Sequence, residues 1–201
     1  MEWRMALLSG CPPFPMETVV ERTSAQPDVP WPQSIKEFEA LIDAMQHRLV
    51  QFAFCRLHSR EDAEDAVQDV LVQAYRDREK HRAVANAVPF LFRMVANRST
   101  DVLRRRKHEG GRLEDCAGEL AASGEGAQEA AAAAQRQRRI EDSLQRLPRR
   151  QSEAIRLRVY GELPFEAVAQ AMGCSVPTVK SRFRYGIQKL RRVLKRQGGE
   201  R

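Results

Sequence analysis

Apolar positions recur at three- and four-residue steps along most of the chain, and strand-like alternation is absent. Ile35, Phe38, Leu41, Ile42, Met45, Leu49, Phe52 and Ala53 make the first stripe, which predicts an amphipathic helix ending near Leu57. Ser34 suits its N-cap, and Glu37 three residues on completes a capping-box pattern. Ser59 and Asp62 give a similar start signal. Ala63, Ala66, Val67, Val70, Leu71, Ala74 and Tyr75 then form the apolar side of a second helix. Its other side is acidic, with Glu61, Asp62, Glu64, Asp65 and Asp69, and it ends in Arg76, Arg78 and Lys80, which complements the helix dipole. A looser stretch, Glu79 to Val88, precedes Pro89, placed as the first residue of a third helix. Phe90, Leu91, Met94, Val95, Val102 and Leu103 mark its buried side, and Arg104-Arg105-Arg106-Lys107 closes it.

Two stretches break the periodicity. Residues 1–33 hold six prolines, which remove backbone donors and fix φ, so a flexible tail is expected there. Residues 109–128 are rich in Gly, Ala and acids and read as a linker. The alanine run Ala130 to Ala134 opens a second helical region at residue 129, with Ile140, Leu144 and Leu147 facing inward. Pro148 breaks that helix, and another is expected from Glu153 to Tyr160. The expected architecture is therefore all-α. Helical domains at 34–108 and 129–197 are joined by a flexible acidic linker.

The second domain carries a helix-turn-helix. Phe165 to Met172 is short and amphipathic, with Val168 and Met172 as core candidates. Gly173 can take the positive φ of a tight turn, Ser175 can cap the next helix, and Pro177 falls in its first turn. Val179, Phe183, Ile187 and Leu190 then line one face, and the opposite face is expected to carry Thr178, Lys180, Ser181, Arg182 and Arg184. Gly186 within this helix costs about 1 kcal/mol relative to Ala, so close approach of a neighbouring helix or of DNA is expected there. The second helix of such a unit enters the major groove, where Arg182 could read guanine with both guanidinium nitrogens.

Charge sharpens this picture. The chain has 201 residues and a net charge of +7. Val176 to Arg201 carries nine Lys or Arg against the single acid Glu200, whereas Glu109 to Ala130 carries six acids against Arg112 alone. The basic end suits phosphate contacts and counterion release. Cys11, Cys55, Cys116 and Cys174 are scattered, without the spacing of a zinc site or a disulfide framework, which fits a reducing cytoplasm. Leu8 to Cys11 matches a lipobox, but the apolar stretch before it is too short for a secretion signal. No metal, cofactor or catalytic motif is legible. His47, His58, His81 and His108 are isolated from the acidic cluster, and no phosphate-cradling glycine loop or nucleophile motif occurs.

Asp62 to Arg76, DAEDAVQDVLVQAYR, closely resembles the core-polymerase-binding helix of bacterial sigma factors. Leu91 to Arg106, with Asn97, Asp101 and Arg104, resembles the next helix of the same domain, sigma region 2. Leu147-Pro148 and Thr178 to Arg182 resemble region 4 of that family. Two regions joined by a short linker point to the extracytoplasmic-function (ECF) group. The resemblance implies a sigma factor that binds core RNA polymerase and directs initiation at promoters. Asp62, Glu64, Asp65, Gln68, Asp69 and Gln73 would face polymerase. Asn97, Arg98, Asp101, Arg104 and Arg105 would hold the melted −10 element. Thr178, Lys180, Ser181, Arg182 and Arg184 would read the −35 duplex. It also implies an anti-sigma factor as a partner, as is common in the group, and no catalytic chemistry, since polymerase supplies it. Phe90 stands where the family usually has Trp, Ala167 where it often has Glu, Pro177 where it has Gly, and Tyr185-Gly186 where it has Arg-Ala. Without the resemblance, the acidic helix face reads as a solvated surface, and the chain as a helix-turn-helix regulator that never joins polymerase.

Overall fold

The computed structural model describes residues 28–108, 140 and 142–198, the last four without their side chains. Residues 1–27, the expected linker and the alanine run lie outside the described residues. Among the described residues, six α-helices and one 3-10 turn have both ends defined, in chain order: α1 (Ile35–Leu57), α2 (Arg60–Arg76), the turn Arg78–His81, α3 (Ala87–His108), α4 (Arg149–Val159), α5 (Phe165–Met172) and α6 (Val176–Gly198); residues 140 and 142–145, ahead of Pro148, are also helical.

The starts of α1 and α2 follow from their caps. Ser34 Oγ accepts from the Glu37 amide and Ser59 Oγ from the Asp62 amide, each at 3.2 Å. Glu37 reaches back one residue further than a capping box, and its carboxylate accepts from the Gln33 amide at 2.8 Å. Past α2, the Lys80 ammonium donates to the Asp77 carboxylate at 2.6 Å and holds its pKa below the ordinary value.

Two helices begin before their expected starts. α3 starts at Ala87 rather than Pro89, because Asn86 caps it: Asn86 Oδ1 accepts from the Val88 amide at 3.2 Å. Pro89 then falls in the first turn, where amides have no intrahelical partner in any case. α4 starts at Arg149 rather than Glu153. Its first turn is polar, so the apolar pattern could not mark it. The Pro148 carbonyl accepts from the Gln151 and Ser152 amides and opens the helix.

The expected tail also gives way, from Asp28 onward. Residues 28–33 run extended along the first domain. The Trp31 amide donates to the Val84 carbonyl, and the Ala87 amide donates to the Val29 carbonyl at 2.7 Å. Trp31 is 1% exposed and packs on Phe38, His81 and Phe90. A large ring replaces water there, which outweighs the proline-rich composition.

One hydrophobic core runs through both halves. Phe38, Leu49, Phe52, Val67, Leu91 and Phe92 fill it on the N-terminal side, and Leu144, Ile155, Leu163, Val168, Val179, Phe183 and Leu190 on the other. At the seam, α3 lies against α5. Arg48 donates to the Gly161 carbonyl at 2.5 Å, and its guanidinium lies over the Phe92 ring. Desolvation lowers the Arg48 pKa, partly offset by Glu162. Gly161 is required at this contact, since a Cβ there would sit 2.7 Å from the Leu157 carbonyl and 3.0 Å from Phe92. Arg56 of α1 pairs with Glu153 of α4, and its Nη2 also donates to Thr100 Oγ1 at 2.9 Å. Arg149 donates to Thr100 Oγ1 from the other half at 3.3 Å.

Candidate polymerase and DNA interface

The acidic face of α2 is only partly free. Asp62 pairs with Arg106, Asp69 with Arg98, and Glu64 with Arg60 at 2.8 Å. Asp65, Gln68 and Gln73 are exposed. At 3.6 residues per turn, Glu61, Asp65, Gln68, Asp69 and Val72 share one face. Val72, 48% exposed, stands at the C-terminal end of that face and was missed by the sequence reading. The signal was present, because a β-branched side chain among acids breaks the amphipathic pattern.

On α3, Asn97, Arg104 and Arg105 are exposed, while Arg98 and Asp101 are half-buried. Asn97, Asp101 and Arg104 form one stripe, and Arg104 bonds Asp101 at 3.0 Å. Arg98 and Arg105 lie on the flank, with Arg98 held by Asp69. Phe92 is fully buried; Phe90 and Tyr75 are half-buried. Phe90 and Trp31 meet edge-to-face at 5.5 Å, so both rings serve packing.

The helix-turn-helix forms over the expected residues. Gly173 caps α5 at φ 60, and Val179, Phe183, Ile187 and Leu190 are buried. Ser175 Oγ meets Thr178 Oγ1 at 2.8 Å. Gly186 is a helix contact: a Cβ there would approach Ile155 Cδ1 to 2.8 Å. The five residues assigned to duplex reading do not share one face. Arg182 turns back, and its Nη1 lies 3.2 Å from Cys174 Sγ. Lys180 folds on the other side, its Nζ 5.8 Å from the centre of the Phe165 ring. Between them stand Ser181, Gln188 and Tyr185, which is 49% exposed with the Arg184 guanidinium over its ring. Tyr185 and Gln188 were missed as contact candidates, although the departure from the family pattern falls at Tyr185.

Asn97 and Arg182, from opposite halves, line one cleft of about 400 Å³. Among the described residues, no cluster of His, Cys, Asp and Glu could hold a metal ion, and no helix is long and apolar enough to cross a membrane.

A helix-turn-helix protein with a second, acidic docking helix is the class that this fold and these faces define. The family model for sigma-70 region 2 matches residues 41–109, and that for sigma-70 region 4 matches residues 137–190. The ECF RNA polymerase sigma-E factor of Haemophilus influenzae is 28% identical over 155 residues, 73% of this chain and 82% of that protein. The sigma factor RpoE of Bartonella quintana, solved with the anti-sigma factor NepR, superposes with a TM-score of 0.61 at 26% identity, over 83% of this chain and all of that one. CnrH, solved with the cytosolic domain of CnrY, shares the fold with a TM-score of 0.59 at 22% identity, over 81% of this chain and 90% of that one. The chain belongs to the sigma-70 family of RNA polymerase sigma factors, in its ECF group.

Proposed function

We propose that the chain binds core RNA polymerase and directs initiation at promoters selected through their −10 and −35 elements. The observation that carries this reading is the pairing of two faces of opposite charge. The acidic face of α2 falls within the region 2 match, and basic α6 falls largely within the region 4 match. A regulator that never joins polymerase has no use for the first face.

The roles divide by element. Asp65, Gln68 and Gln73 on α2 face polymerase, with Val72 as the apolar contact. Asp62, Glu64 and Asp69 shape that face through their ion pairs. An acidic surface with an exposed apolar side chain suits a basic partner groove. Asn97, Asp101 and Arg104 meet the melted −10 strand, with Arg98 and Arg105 beside them. Thr178, Lys180, Ser181, Arg182, Arg184 and Tyr185 serve the −35 duplex. A cleft of about 400 Å³ cannot admit a duplex whose major groove alone is about 12 Å wide, so reading both elements requires the halves to part. Residues 34–108 and 129–197 are the two units that separate, and 109–128 the linker between them. The chain works in the cytoplasm and has no catalytic chemistry of its own. The relatives solved with NepR and with CnrY support an anti-sigma factor as a further partner.

The test is transcription in vitro with core polymerase and a genomic promoter library, beside pull-down of core. Asp65→Lys is expected to weaken core binding at least tenfold and leave −35 duplex binding intact. Arg182→Ala is expected to do the reverse. Equal loss of core binding in both variants overturns the division of roles. A chain that neither retains core nor starts transcription overturns the function.

A further inference from the structure

We propose that the cleft between the two halves is a binding site for a small phosphate-bearing anion. Arg56 and Arg93 line it from the N-terminal half, and Arg149, Arg150 and Arg182 from the C-terminal half. Glu153 is the one carboxylate in the lining, and Arg56 already engages it. Five arginines thus line the cleft against a single carboxylate, with the Arg93 guanidinium over the Phe90 ring, Arg149 on Thr100 and Arg182 against Cys174 Sγ, and like charges on the two walls oppose closure. Arg56 is more than nine-tenths buried, and its Nε has no hydrogen-bond partner among the described residues.

The chemistry of the lining selects the ligand. Planar guanidinium forks match the oxygen spacing of phosphoryl groups and bind them in pairs. Four uncompensated charges call for more than one carboxylate can supply, so a polyphosphate or a nucleotide polyphosphate is the fitting class. The volume, about 400 Å³, lies within the ~300–1,000 Å³ of small-molecule clefts. Such an anion contacts both halves at once and holds them closed. Asn97 and Arg182 border the same cleft. Anion and promoter are therefore competitors by linkage, a corollary that rests on the proposed function.

Inorganic tripolyphosphate is the probe, titrated calorimetrically into the full chain at fixed ionic strength. Saturable one-to-one binding is expected. Arg93→Gln with Arg150→Gln, two exposed positions outside the assigned contact residues, is expected to weaken it at least tenfold without changing the circular dichroism. Arg78→Gln with Arg82→Gln, outside the cleft, is expected to leave it unchanged. Should the cleft pair unfold the chain, Arg150→Glu alone replaces it, with the same loss expected. Non-saturable binding, or equal loss in both double variants, overturns the site as mere adsorption to a basic protein. Failure of tripolyphosphate to bind, with the cleft variants weakening only a short DNA duplex, also overturns it and returns these arginines to the nucleic-acid backbone. None of these measurements involves polymerase, so they fail or succeed separately from the transcription assay.

Discussion

Gly186 shows how much one missing carbon decides. Its helix would gain about 1 kcal/mol from an alanine by propensity alone. The added Cβ would meet Ile155 Cδ1 at 2.8 Å, and Ile155 is itself buried. Overpacking a filled site costs about 1–3 kcal/mol. Gly186→Ala is therefore expected to lower stability by about 1 kcal/mol, read as a fall in the urea midpoint at constant slope. Trp31 is the opposite case, a residue whose neighbourhood in sequence argued for disorder. Trp31→Ala is expected to cost about 3–5 kcal/mol, measured by thermal unfolding. A change within a few tenths of a kcal/mol would return residues 28–33 to the tail. Composition read those six residues wrongly because it averages over a window, whereas burial is decided ring by ring.

At the scale of elements, periodicity was a good guide to where α1, α2, α5 and the core face of α6 lie, because each buries one continuous stripe. It was a poor guide to polar first turns. Arg149 to Ser152 carry no apolar signal before Ala154, and α3 begins on an Asn86 cap rather than at a proline. Faces were harder still. The basic residues of α6 were legible as a set, but not that Lys180 and Arg182 turn to opposite flanks and leave Tyr185 between them. Those orientations depend on Phe165 and Cys174, residues of other elements. On α2, acids were legible and their ion pairs with α3 were not. Val72→Lys is expected to weaken core-polymerase binding at least tenfold with no loss of thermal stability, since the side chain is about half exposed and a lysine stem can extend into solvent. Unchanged binding in a pull-down would remove Val72 from the interface.

Across the whole molecule, the sequence divides the chain into two helical units, and the structure joins them. The seam rests on Arg48, Gly161, Phe92 and the Arg56–Glu153 pair, and each of these contacts that crosses it joins residues more than sixty positions apart, which no local pattern connects. Side-chain exposure of the pair is 7% and 16%, so removing one partner strands a buried charge. Glu153→Ala is expected to cost about 3 kcal/mol, and Arg56→Met with Glu153→Leu to recover most of it. Chemical denaturation of the three proteins checks both. Equal stability of single and double variants would mean that the pair is solvated in solution.

The docking of residues 28–33 also has a consequence in time. Trp31 leaves the ribosome before the segment that receives it. Its backbone partner Val84, and Ala87 that bonds Val29 beside it, follow more than fifty residues later. At about 5–20 residues per second, roughly 3–10 s of synthesis separates the indole from its socket. During that interval the nascent chain carries an unsatisfied aromatic anchor, and only after α3 has emerged can the start of the domain close behind it.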